Sequence, residues 1–171
     1  MINYDLNKIK TLIFDVDGVL SRQTITLSPD GDPQRTTNVR DGYAINMAIK
    51  NGLEIAIITG GNSSSVKVRY EALGVKHIYL KSKIKMVDFR DYLEKTGYLP
   101  EEIIYIGDDI PDYEVMQQVG LPVAPADAAP EIKQIAKYIS KEKGGEGVVR
   151  DVIEQVLKVQ GKWLNGEAFG W

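Results

Sequence analysis

Two carboxylates stand two residues apart in Asp15-Val16-Asp17-Gly18, directly after the apolar run Thr11-Leu12-Ile13-Phe14. A short apolar run with a β-branched residue and an aromatic reads as a buried strand. Side chains alternate along a strand, so Asp15 and Asp17 project to the same side where it ends. Like charges held that close push one pKa up unless a cation sits between them. The pair reads as a metal site, an acid/base pair or both, although an isolated Asp-x-Asp-Gly also fits a plain turn. A second cluster, Gly107-Asp108-Asp109-Ile110-Pro111-Asp112, follows the apolar run Ile103-Ile104-Tyr105-Ile106 and favours a site. Ligands of open α/β sheets bind outside the carboxyl ends of the strands, where two such clusters share one crevice.

Two further features fit a phosphate ligand. Thr59-Gly60-Gly61 follows the apolar run Ile55-Ala56-Ile57-Ile58, and Lys85 opens a helical pattern. A hydroxyl and glycine backbone N–H groups can donate to phosphoryl oxygens, while a lysine neutralises charge on the nucleophile and the transferring group. Magnesium, which takes a few carboxylates together with water and phosphate oxygens, suits the same residues. Singly, each feature has an ordinary structural reading: a strand-to-helix turn for Thr59-Gly60-Gly61, a surface lysine for Lys85, a helix cap for Asp109.

The elements that must position these groups alternate along the chain. Apolar runs at 11–16, 53–58, 77–80, 103–106 and 121–124 predict strands, and helical patterns lie at about 41–51, 63–73, 83–96, 111–119, 130–137 and 146–159. Asn62 or Ser63 as N-cap, Pro111 and Pro130 near a first helical position, and Gly52, Gly74, Gly97 and Gly120 after last turns punctuate the helices. Such alternation predicts an α/β fold, a Rossmann-like three-layer sandwich around a central parallel sheet. Two segments depart from it. Residues 21–39 read as a β-hairpin around Pro29-Asp30-Gly31, placed to close over the Asp15–Asp17 loop as a flap. The tail from Gln160 to Trp171 holds both tryptophans and reads either as a frayed end or, since large aromatics are costly to leave in water, as a segment docked on the body or on a neighbour.

Composition bounds the partners. The chain has 171 residues, 43% hydrophobic and 26% charged, as expected for one domain over 1–171 with a substantial core. A net charge of −3 argues against nucleic acid and anionic membranes, no run approaches a membrane span, and Met1-Ile2-Asn3-Tyr4-Asp5 lacks the basic start of a secretory signal. Cysteine is absent, which removes disulfides and thiolate metal sites and fits a cytoplasmic protein. An anionic substrate would have to be drawn in by a bound cation and by local Lys or Arg.

In order and at these strand ends, the set resembles the haloacid dehalogenase superfamily of phosphohydrolases over nearly the whole chain. Its four motifs look like Asp15-Val16-Asp17-Gly18-Val19, Thr59, Lys85 and Gly107-Asp108-Asp109-Ile110-Pro111-Asp112. The resemblance implies that Asp15 is a nucleophile forming an aspartyl phosphate, and that Asp17 is the acid for the leaving group and then the base for water. It implies phosphoryl-oxygen contacts from Thr59, Lys85 and the Gly60-Gly61 backbone. Magnesium is implied on Asp15, the Asp17 carbonyl and Asp108, with Asp109 and Asp112 supporting from outside the direct ligand set. Neither the 18–40 nor the 60–84 interval leaves room for a cap domain, so the chain reads as capless.

A closer resemblance is to the phosphatases of 3-deoxy-D-manno-octulosonate 8-phosphate, which serve lipopolysaccharide synthesis. It is carried by Asp15–Leu20, Val39-Arg40-Asp41-Gly42-Tyr43-Ala44-Ile45, Val66–Val75 and Gly144-Gly145-Glu146-Gly147-Val148-Val149-Arg150. That family implies a homotetramer in which hairpin and tail help complete a neighbour's site, with Arg69 and Arg40 as candidate substrate contacts. One departure stands out: the second motif commonly reads Thr-Gly-Arg, and here Gly61 replaces the arginine. A nine-carbon sugar acid 9-phosphate is the alternative substrate on this scaffold. A phospho-accepting receiver domain also uses Asp, Thr and Lys, but its Thr and Lys come later, and it offers no counterpart of Asp17 as acid/base. A catalytically silent subunit is disfavoured because no core position is missing. His77 reads as a strand-start residue without catalytic duty, and Gly144–Gly147 as the turn into the last helix.

Overall fold

The computed structural model describes residues 1–170, together with all their side chains except that of Glu167. Six strands form one parallel sheet: β1 (Thr11–Phe14), β4 (Glu54–Ile58), β5 (His77–Tyr79), β6 (Ile103–Ile106), β7 (Leu121–Ala124) and β8 (Tyr138–Ile139). Their spatial order is β5-β4-β1-β6-β7-β8, so the chain starts in the middle and winds outward both ways. Parallel pairing needs crossovers, and helices supply them on both faces. One face carries α1 (Val39–Lys50), α2 (Ser64–Ala72) and α6 (Val148–Val159); the other carries α3 (Lys85–Thr96), α4 (Tyr113–Met116) and α5 (Pro130–Ile135).

All four residues of β1 are buried, as a strand covered on both faces requires. Leu12 and Phe14 enter the core under α1 and α6, while Ile13 enters the core under α3 and α4. Side-chain alternation thus sends one strand into two cores, and Asp15 leaves the sheet with its direction already set.

Helix starts and stops follow local chemistry. The Asn38 side chain accepts from the Arg40 and Asp41 N–H groups and begins α1 at residue 39. Gly97, at φ 71°, ends α3 in the left-handed conformation that glycine tolerates best. Pro111 does not open the expected helix over 111–119. Ile110–Asp112 is a 3-10 turn and α4 is only four residues, because Asp112 is drawn inward to the site. Gly120 is not a cap glycine: a Cβ there would strike the Tyr4 hydroxyl and lie 2.7 Å from the Glu101 backbone.

Within 21–39, β2 (Thr26–Leu27) pairs antiparallel with β3 (Pro33–Gln34) as a small hairpin. The described tail folds back on α1: Trp163 meets Tyr43 edge-on at 6.3 Å, and the Tyr43 hydroxyl donates to Ala168 O at 2.7 Å. Arg150 from α6 lies 4.5 Å over the Trp163 ring. Trp171 falls outside the described residues. Among the described residues, no helix is long and apolar enough to cross a membrane.

Candidate active site

Each chemical group sits where a central strand ends. Asp15 follows β1, Thr59 follows β4, Asp108 follows β6 by one residue, and Lys85 is the first residue of α3. A cavity of about 490 Å³ is lined by Asp15, Asp17, Gln23, Asp108, Asp109 and Asp112, among others. Gly18, at φ 83°, turns the chain tightly enough that a Cβ would run into the Asp108 carboxylate. Likewise, a Cβ on Gly144 would collide with the Gly18 carbonyl, so the Gly144–Gly147 turn braces the loop that carries both aspartates.

Asp15, Asp108 and Asp112 are buried, and one carboxylate oxygen from each lies within 4.8 Å of the others. A single ammonium faces them. Lys85 Nζ is 2.9 Å from Asp15 Oδ2 and 2.6 Å from Asp112 Oδ1. Asp112 is the hub: Oδ1 also accepts from the Tyr105 hydroxyl at 2.6 Å, and Oδ2 accepts from the Asp108 N–H at 3.1 Å. Three carboxylates against one lysine leave an excess of negative charge in a desolvated space. Burial first, then Asp112, pushes Asp15 up to about 7 despite Lys85. Burial first, then Asp15 and Asp112, pushes Asp108 up to about 7. Burial pulls the Lys85 ammonium down, but the two carboxylates outweigh it and hold it above its ordinary value.

Such a set fits a divalent cation. Hard oxygen ligands on converging carboxylates, partly neutralised and otherwise mutually repelling, are what magnesium requires. Asp112, which the resemblance places outside the direct ligand set, lies close enough to bring an oxygen within 4.8 Å of those of Asp15 and Asp108.

Asp17 stands apart from that cluster. Arg35, from the hairpin, donates to it through Nε at 2.6 Å and Nη2 at 2.8 Å, and Ser21 Oγ donates at 3.2 Å. Across the site, Thr59 Oγ1 accepts from the Gly61 N–H at 3.1 Å, which leaves the hydroxyl proton free to donate outward. Gly60 is exposed beside it. Asp109 lines the cavity and is exposed; its side chain makes no capping hydrogen bond.

Of the two arginines singled out from sequence, Arg69 lines a smaller cavity between hairpin and α2. Arg40, the second residue of α1, is exposed and lines a groove with Glu142, Glu146 and Glu154. His77 pairs with Glu54 at 2.9 Å and stacks edge-on against Tyr92, a packing role. Arg35 was missed, since one arginine among the polar residues of a hairpin carries no pattern; only the gap at Gly61 hinted that a cation must come from elsewhere.

Fold and site define an α/β phosphoryl-transfer enzyme, and the haloacid dehalogenase-like hydrolase family matches residues 77–152. The 3-deoxy-D-manno-octulosonate 8-phosphate phosphatase of Escherichia coli is 44% identical over 154 residues, 90% of this chain and 82% of that protein. The crystal structure of the phosphatase of that name from Yersinia pestis superposes with a TM-score of 0.89 at 41% identity, over 92% of this chain and 85% of the other. That from Moraxella catarrhalis, in complex with magnesium ion, phosphate ion and 3-deoxy-D-manno-octulosonate (KDO), gives a TM-score of 0.87 at 31% identity, over 91% and 90%. The chain belongs to the 3-deoxy-D-manno-octulosonate 8-phosphate phosphatase family of haloacid dehalogenase-like hydrolases.

Proposed function

We propose that the protein hydrolyses 3-deoxy-D-manno-octulosonate 8-phosphate to the free sugar acid and phosphate, with Mg²⁺, in lipopolysaccharide biosynthesis. The observation that carries the reading is the buried Asp15–Asp108–Asp112 cluster balanced by Lys85 alone, in a chain so similar to phosphatases of that substrate. Asp15, Asp108 and the Asp17 carbonyl would hold the ion, with Asp112 close enough to share it. Bound there, magnesium supplies positive charge to the phosphoryl oxygens as negative charge builds on them.

The remaining work falls to side chains. Asp15 attacks phosphorus, forming the aspartyl phosphate as the bond to the sugar oxygen breaks. Asp17 donates its proton to that leaving oxygen, then takes one from the water that cleaves the intermediate and regenerates Asp15. Lys85, aimed by Asp112, offsets charge on Asp15 and on the transferring group. The Thr59 hydroxyl and the Gly60 N–H donate to phosphoryl oxygens, while the Gly61 N–H holds Thr59 Oγ1. The chain works as one domain in the cytoplasm and as a homotetramer. Within a chain the tail is seated on α1, so any reach of the tail toward a neighbour's site starts from there.

A phosphate-release panel of eight- and nine-carbon sugar acid phosphates and glucose 6-phosphate tests this. The eight-carbon acid should be turned over fastest. Equal rates throughout would refute the specificity, and preference for the nine-carbon acid would reassign the substrate.

A further inference from the structure

The family's usual second-motif arginine is Gly61 here, yet the space beside Gly61 is not empty of guanidinium. A Cβ built on Gly61 would lie 3.0 Å from Arg35 Nη2 and 3.4 Å from Thr59 Oγ1. Arg35 comes from the hairpin, its side chain only 8% exposed. Two of its nitrogens hold Asp17, while the third, Nη1, is buried with no hydrogen-bond partner. A buried donor left unsatisfied is costly and marks a place for an acceptor.

Arg35 also lines the cavity of about 250 Å³ between hairpin and α2, with Gln34, Thr36, Ser65 and Arg69. Among the described residues, Arg35 and Arg69 are the only charged ones lining it, and Arg69 has no ion-pair partner there. Through Arg35 it adjoins Asp17, which lines the cavity of the carboxylate cluster, a separate and wholly acidic one as far as its charged lining goes. An anion held there would be the far end of a substrate whose phosphoryl group lies over Asp15.

We propose that Arg35 is a specificity-determining residue that binds the substrate's carboxylate in this cavity beside Arg69, supplying from the hairpin the guanidinium that position 61 lacks. The inference rests on the sugar-acid phosphatase reading above. It ties recognition to catalysis: Arg35 occupies both carboxylate oxygens of Asp17, the side chain that must reach the leaving oxygen. A substrate carboxylate that takes over the Arg35 fork releases Asp17, so a phosphate ester without the carboxylate leaves the acid tied down.

The test compares kcat/KM for 3-deoxy-D-manno-octulosonate 8-phosphate with kcat/KM for glucose 6-phosphate, in the wild type, Arg35→Gln, Arg35→Lys and Arg35→Gln/Gly61→Arg, each checked for folding by circular dichroism. Loss of a charge-assisted contact should lower the ratio of the two about 10- to 100-fold in Arg35→Gln, mainly through KM of the acid. Arg35→Lys, with a point charge instead of a fork, should fall between. The double variant should regain part of the ratio, because the new arginine enters the vacated space. An unchanged ratio, equal losses on both substrates, or a folded double variant as poor as the single one would overturn the proposal. A wild type with no preference for the acid would instead refute the substrate assignment.

Discussion

Lowering the pH through neutrality should weaken magnesium binding steeply, because the ion must displace protons from its own ligands. Asp15 and Asp108 are both pushed up to about 7 without metal, by burial and by the charges they share with Asp112. A carboxyl titrating near 7 is roughly nine-tenths protonated at about pH 6 and one-tenth at about pH 8, which lowers ion affinity about tenfold between the two. Two such groups set a limit of about a hundredfold; since they interact and titrate as a pair, the expected loss lies between about ten- and a hundredfold. In the metal-free protein the sign is opposite for stability: both pKa values lie above those of the unfolded chain. Their contribution is therefore present at acid pH and is lost as the pH rises through about 7, where added magnesium should stabilise most. Calorimetric titration with MgCl₂ in two buffers of different ionisation enthalpy reads both affinity and proton release. Between one and two protons should leave per ion at about pH 6 and almost none at about pH 8. An affinity constant across that range, without proton release, would mean that these carboxylates have ordinary pKa values and that the charge argument is wrong.

Lys85→Met should abolish turnover and, in metal-free buffer, cost about 3–5 kcal/mol in urea unfolding by leaving Asp15 and Asp112 buried without their cation; magnesium should recover part of that loss, and a neutral substitution would remove Lys85 from the network. Asp41 is buried, with Oδ1 accepting from the Arg150 N–H at 2.7 Å and Oδ2 unpartnered, and burial pushes it up to about 6. Its raised pKa means that stability is held at acid pH and lost as the pH rises through about 6, so Asp41→Asn should gain up to about 3 kcal/mol at about pH 8 and little below about pH 4. A gain independent of pH in thermal melts would contradict this. Deleting residues 161–171 removes the Trp163 stack on Arg150 and the Tyr43 bond to Ala168, and should destabilise the chain by about 1–3 kcal/mol; an unchanged Tm would show that the seat on α1 contributes nothing.

The strands were legible where burial on both faces leaves an uninterrupted apolar run, as at Ile103–Ile106 and Leu121–Ala124, whose bounds agree with expectation to the residue. Tyr138–Ile139 was missed because a two-residue edge strand has no run to read. Expected as one helix over 111–119, the segment after Asp109 splits, because the Tyr105 hydroxyl, the Asp108 N–H and Lys85 hold Asp112 inward. Helix propensity does not encode that pull, since Lys85 comes from another helix and Tyr105 from the strand behind; only the Asp108 N–H is close along the chain.

At the site, the order of Asp15, Asp17, Thr59, Lys85 and Asp108 along the chain was enough to name the chemistry. Each follows a strand or opens a helix, and in a parallel sheet those ends must converge on one edge. Where Arg35 and Asp112 sit was decided only by the folded chain. A hairpin folding over Gly61 brings a distant guanidinium onto Asp17, and a buried hydrogen-bond hub makes Asp112 central. The sequence by itself determined which strand ends carry charge, because side-chain period and strand burial are local properties of the residues. Which charges meet, and at what cost in protons, was left to tertiary packing, because that depends on distances and desolvation between segments far apart along the chain.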